Sequence, residues 1–293
     1  MQLVDFFETV AKIAGFLFVV TSMLAMGLNM TMPQIVQPLK NILLVVLALL
    51  ANFVLVPLLA YLILLVIPLE QSLKVGLIIL STAAGAPFLP KLVVGAKGNV
   101  AFGVGLMVLL MVVTIIYMPL VLPLLLPGIS VDPWQIAESL IVLMLIPLAI
   151  GLLIKSHSPD TAATYQPLMA KVSSLAMLVL LVIGLGLNLS SIISFIGTGG
   201  ILALILFIIG CFLIGFLLGG RDAGNRSVMS LGTAQRNVSA AIVVAAANFS
   251  GTNTLSFVLV GAILLLLILL PTARWLGARA QQQAPTPQVS KKR

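Results

Sequence analysis
Two cations, Lys91 and Arg236, stand inside long apolar stretches of this 293-residue chain, and no Asp or Glu lies near either of them in sequence. A charge at the centre of a bilayer costs roughly 2.5–3.5 kcal/mol on insertion scales, so a residue of this kind marks a site. Arg236 belongs to the polar knot Gly232-Thr233-Ala234-Gln235-Arg236-Asn237, with Ser239 just beyond. Lys91 closes the run from Ser81, in which Gly85, Pro87 and Pro90 interrupt regular helix. A guanidinium fork meets a carboxylate or sulfonate bidentately, and Gln235, Asn237, Ser239, Asn52 and Thr82 offer orienting hydrogen bonds. These seven residues, Lys91 and Arg236 included, are the candidate substrate-binding set, and the ligand they suit is a small organic anion. Two other uses of the cations stay open. Lys91, near one end of its stretch, can snorkel to headgroups, and Arg236 can pair with carbonyls freed by a broken helix.

Other chemistries find little to work with. No HExxH, Walker loop, GxSxG or complete GxGxxG occurs, and no acid–base or nucleophile–base constellation is visible. Cys211 is the single cysteine and His157 the single histidine, so an intrachain disulfide or a thiolate metal cluster cannot form. The expectation is a chain that is not an enzyme and needs no cofactor or metal.

The elements that hold these residues follow from composition. With 61% hydrophobic and 8% charged residues, the chain has too few polar side chains to cover a water-soluble globule, and a lipid bilayer is its solvent. A hydrocarbon core of about 30 Å takes about 20 apolar residues as helix. Nine such spans are read, near 10–28, 40–66, 72–96, 100–126, 134–154, 168–188, 199–218, 227–249 and 254–275. The longest connection runs from Lys155 to Lys171, and the basic segment 277–293 is expected to be a disordered cytoplasmic tail. Asp5 and Glu8 stand where a cleaved signal would be basic, so the first span is expected to stay in the mature protein.

The net charge of +8 is scattered over loop ends, which speaks for topology and against nucleic acid as a partner. Nine spans put only Lys12 and Lys74 on one face. On the other they put Lys40, Lys97, Lys155, Lys171, Arg221, Arg226, Arg274, Arg279, Lys291, Lys292 and Arg293. The positive-inside rule then places the N-terminus outside and the C-terminus in the cytoplasm of a plasma-membrane protein.

An internal repeat organises the spans. Gly27-Leu28-Asn29-Met30-Thr31 closes the first and Gly186-Leu187-Asn188-Leu189-Ser190 the sixth, 159 residues on. The same offset carries spans two to four near spans seven to nine. Equivalent helices five spans apart insert in opposite directions, so 10–126 and 134–275 read as inverted repeats of one transmembrane domain, 1–276. Inverted repeats and broken helices are marks of secondary transporters, with spans three and eight the candidates for breaks.

The residues also resemble the bile acid/sodium symporter family. The matches are Met26-Gly27-Leu28, Ala51-Asn52-Phe53 through Pro57, and Val75 to Leu80. They continue in Ala96-Lys97-Gly98-Asn99-Val100-Ala101, Gln235 to Asn237 and Ala245 to Phe249, in order along nearly the whole chain. The resemblance implies an all-α fold of a panel and a core with two crossing broken helices, here without an optional first helix. It also locates departures. Where the sodium-coupled pattern has Ser-Asn, this chain has Leu89-Pro90. A Ser and a Thr one turn apart become Gly103 and Met107, a Glu gives way to Leu231-Gly232, and a Gln in span two becomes Asn52. Most side-chain oxygens that the resemblance assigns to sodium are gone.

These observations favour a carrier of a small organic anion not coupled to sodium, with Arg236 and Lys91 giving in fixed form the charge a mobile ion would bring. Facilitated diffusion or anion exchange is favoured over proton symport. The alternatives are a sodium symporter using backbone ligands and, less favoured, a channel or a membrane enzyme.

Overall fold
The computed structural model describes residues 2–127, 132–187 and 189–282. Asn188 of the repeat motif and residues 283–293 of the expected tail lie outside them. Every regular element among the described residues is helical. In chain order they are α1 (Gln2–Asn29), α2 (Met32–Val36), a 3-10 turn (Gln37–Lys40), α3 (Ile42–Leu50), a π-helical turn (Ala51–Leu55) and α4 (Val56–Val66). Next come α5 (Gln71–Thr82), α6 (Leu89–Gly95), α7 (Val100–Leu125), α8 (Pro133–Leu140), a second π-helical turn (Ile141–Leu145) and α9 (Ile146–His157). The chain continues through α10 (Pro159–Leu187), α11 (Leu189–Gly197), α12 (Gly200–Leu218), α13 (Ala223–Ala234), α14 (Val238–Asn248) and α15 (Thr254–Gln282).

Among the described residues seven helical stretches are long and apolar enough to cross a membrane, with α3–α4 and α8–α9 each continuous through its π turn. The third and eighth expected spans are instead each broken in two, as α5/α6 and α13/α14. This is an integral membrane protein, and its outward faces carry exposed Leu65, Leu124 and Leu217. In lipid no hydrophobic force draws helices together, so packing relies on close backbone approach and hydrogen bonds. Glycine supplies the first. A Cβ on Gly27 of α1 would strike the Leu148 carbonyl of α9, and one on Gly151 would stand 2.6 Å from the Leu24 carbonyl oxygen. The backbones touch there, and α1, α9 and α10 pack as one panel. On the other side α13 packs on α12 and α7, and α15 on α5, α6 and α14, as a core. Gly215 lies against the Met229 carbonyl and Gly277 against that of Gly95, again leaving no room for a side chain.

Three details depart from the reading of spans. The stretch from Lys155 to Lys171 is helix except for a corner at Ser158. Proline is well placed at the start of a helix, and Asp160 sits in the first turn of α10, where the helix dipole favours a negative charge. At the other end α15 continues to Gln282, beyond the expected boundary at 276, with the Arg279 guanidinium 4.0 Å from the Trp275 ring centroid. The π turns were also unforeseen. Each lies just before a proline, Pro57 or Pro147. Pro57 has no N–H to give the Phe53 carbonyl, which instead accepts the Tyr117 hydroxyl at 2.7 Å.

Candidate substrate-binding site
The two breaks meet. α5 stops at Thr82 and α13 at Ala234, and each leaves carbonyls at its C-terminal end without the next turn's N–H groups. The freed groups find one another across the crossing. The Asn237 N–H donates to the Ala83 carbonyl at 2.9 Å, and its Nδ2 donates to that of Gly85 at 3.1 Å. Asn237 also caps α14, accepting the Ala240 N–H at 3.1 Å on its Oδ1. Thr114 of α7 stands in for a missing turn, accepting the Ala84 N–H at 3.0 Å and donating to the Ala84 carbonyl at 3.1 Å. Gly85 adopts a positive φ of 79°, and a Cβ there would collide with the Met111 backbone, so only glycine fits the crossing.

Arg236 is enclosed in this crossing, with none of its surface exposed. Its Nε–H donates to the Leu80 carbonyl at 2.9 Å and its Nη2 to that of Ser81 at 2.9 Å. Its Nη1 donates to the Asn52 Oδ1 at 2.7 Å and to the Thr233 carbonyl at 3.0 Å. Of the two uses left open for Arg236, the geometry takes the pairing with freed carbonyls. All four partners are neutral oxygens, and three belong to the C-terminal turns of α5 and α13, where the helix dipole adds negative potential. Asn52 is itself set by the π turn, and its Nδ2 donates to the Ala48 carbonyl at 3.0 Å and contacts the Thr233 hydroxyl at 3.4 Å.

In front of the crossing lies a cavity of about 810 Å³ between panel and core. Its floor is made by Pro87 and Phe88 ahead of α6 and by Gln235, Arg236, Val238 and Ser239 at the start of α14. Lys91 lines it and is exposed, its Nζ 5.5 Å from the Phe88 ring centroid. Gln235 is buried, and its Oε1 has no hydrogen-bond partner among the described residues. The panel side offers Ser22 and Asn29 of α1, and Gln166, Ser173 and Ser174 of α10, between Phe18, Met26 and Met177.

The seven candidate residues therefore divide. Gln235, Ser239 and Lys91 border the cavity, and Arg236 underlies its floor with no surface exposed. Asn52 and Asn237 lie behind it within the crossing, and Thr82 turns its hydroxyl back toward the Ile78 and Ile79 carbonyls, 3.1 and 3.0 Å away. Thr114, Thr233 and the polar panel residues were not anticipated. A single hydroxyl in an apolar run, as in Val112-Val113-Thr114-Ile115-Ile116, was the available signal.

An all-helical membrane protein with two broken helices crossing under a cavity is the architecture of a secondary transporter. The model of the Sodium Bile acid symporter family matches residues 16–195, more than half of the chain, and the chain belongs to that family. No match is found among curated proteins.

Proposed function
We propose that this chain is a secondary carrier of a small organic anion and that it works without sodium. The enclosure of Arg236 carries the reading. Carbonyls at broken helix ends are the oxygens with which transporters of this kind hold a mobile cation. Here the Leu80, Ser81 and Thr233 carbonyls and the Asn52 amide oxygen are bonded to a tethered guanidinium. A fixed positive charge thus stands behind the cavity floor. The positive end of the α14 dipole and the Lys91 ammonium add to it, and among the described residues no Asp or Glu lines the cavity. An anion is the ligand such a wall favours, and about 810 Å³ falls in the usual range for small-molecule sites.

In this reading residues 1–276 form one transporter domain of two inverted repeats, 10–126 and 134–275. The face with the eleven basic residues is cytoplasmic in the plasma membrane. Lys91, Asn29 and Gln166 line the cavity, and with this orientation they lie towards the cytoplasmic face, which supports an inward opening.

Uptake of labelled organic anions into proteoliposomes, with a sodium gradient or with potassium on both sides, tests the proposal. Equal rates are expected. Strong stimulation by sodium would instead favour symport through the remaining backbone ligands. Saturable counterflow separates a carrier from a channel, and an unaltered solute separates it from an enzyme.

A further inference from the structure
A carrier whose cavity is open on one side must close it to present the site on the other. The walls of this cavity make that step depend on whether an anion is inside. Arg236 keeps its four neutral partners behind the floor. Lys91 is different. It lines the cavity, its Nζ stands 5.5 Å from the Phe88 ring centroid, and among the described residues no carboxylate lines the cavity wall to receive it. With the cavity open, water solvates the ammonium. Expelling that water without supplying a counter-charge strands a cation in a low-dielectric space, which is among the costliest changes a protein interior can undergo.

We propose that the protein is an obligatory anion exchanger, because Lys91 faces the cavity without a counter-charge and only a carrier holding an anion can close and return. This rests on the anion-carrier reading and goes beyond it. Sodium independence says what does not drive transport, whereas exchange says that each anion entering must be matched by one leaving. For a monoanion the closed complex moves with Lys91 neutralised, and exchange of like anions shifts no net charge. Gln235 fits the same picture. Its unpartnered Oε1 beside the cavity accepts a hydroxyl or amide N–H from a ligand, which selects among the anions that Lys91 attracts.

The experiment compares two loadings of proteoliposomes holding the full-length protein. The external probes are labelled monoanions with carboxylate, sulfonate and sulfate-ester headgroups. Inside is either the same unlabelled anion or potassium chloride alone, which offers no carboxylate, sulfonate or sulfate group. Uptake into preloaded vesicles should exceed uptake into unloaded ones by at least about tenfold and should not respond to an imposed potassium diffusion potential. Equal uptake under the two loadings would overturn exchange and leave the carrier reading in place. Net uptake into unloaded vesicles driven by a proton gradient would also overturn it, since the carrier would then return without an anion. No movement of any probe under either loading would remove the anion-carrier reading itself. Lys91→Gln should bring the ratio of exchange to net uptake towards one. Retention of the full ratio in that variant would show that the constraint lies elsewhere, and the inference would fall.

Discussion
At the scale of single residues, Arg236 is the brace of the crossing, fully buried behind the cavity floor. Its four hydrogen bonds are charge-assisted and wholly buried, a class worth about 1.5–3 kcal/mol each when the partner cannot return to water. Arg236→Gln should therefore lower stability by about 3 kcal/mol or more, read as thermal unfolding of the purified protein, and abolish anion binding with it. Arg236→Lys keeps the charge but not the planar fork, so both losses should be partial. A double-mutant cycle with Asn52→Ala should give a coupling of about 0.5–3 kcal/mol, and a value near zero would mean that the 2.7 Å contact contributes nothing. The residue was legible in the sequence as a charge without a partner. Its actual partners were not. Which carbonyls become free depends on where two helices break and cross, and the residues that meet Arg236 come from as far away as Asn52.

Among the elements, the breaks were legible because Gly85, Pro87 and Pro90 crowd together in one span and amides cluster in the other; a lone proline is no such signal, since α7 runs on through Pro119 and Pro123. The π turns were not, since Pro57 and Pro147 only say that a carbonyl is released and not how the chain absorbs it. Around Pro57 the answer is Tyr117, whose ring also sits 4.8 Å from that of Phe53. Tyr117→Phe keeps the ring contact and orphans the Phe53 carbonyl, for an expected cost of about 1–3 kcal/mol in the same unfolding assay. The turn after α6 carries an opposite prediction. Lys97 holds a φ of 52°, a left-handed conformation that costs a residue with a Cβ about 1–2 kcal/mol. Lys97→Gly should recover about 1 kcal/mol, provided the lysine has no other role there. The start of α10 was misread because Thr161, Thr164, Tyr165 and Gln166 look like a polar loop, whereas they extend a membrane helix past the apolar zone.

For the whole molecule, hydropathy and the distribution of Lys and Arg carried most of the reading, because a bilayer imposes length and sidedness on every span. Reporter fusions test the orientation: a C-terminal alkaline phosphatase should be inactive and a fluorescent protein at the same end bright. The opposite pattern would place the cavity mouth outside. The division into panel and core came with the resemblance and could not be reached from hydropathy, which treats all apolar faces alike. Backbone contact at Gly27 and Gly151 holds α1 against α9, and α10 packs along α1, so the three helices can act as one body.

The two breaks look like hinges, yet the hydrogen bonds around them make them stiff. From Ala83 to Gly85 the carbonyls accept from Asn237 and Thr114, and the Ala83 and Ala84 amides donate to Ile79 and Thr114. Deuterium labelling should therefore find the Ala83 and Ala84 amides as slow to exchange as those of α5, although no regular helix runs there. Motion that turns the carrier over would then have to occur between panel and core, with the crossing carried along as a rigid keystone.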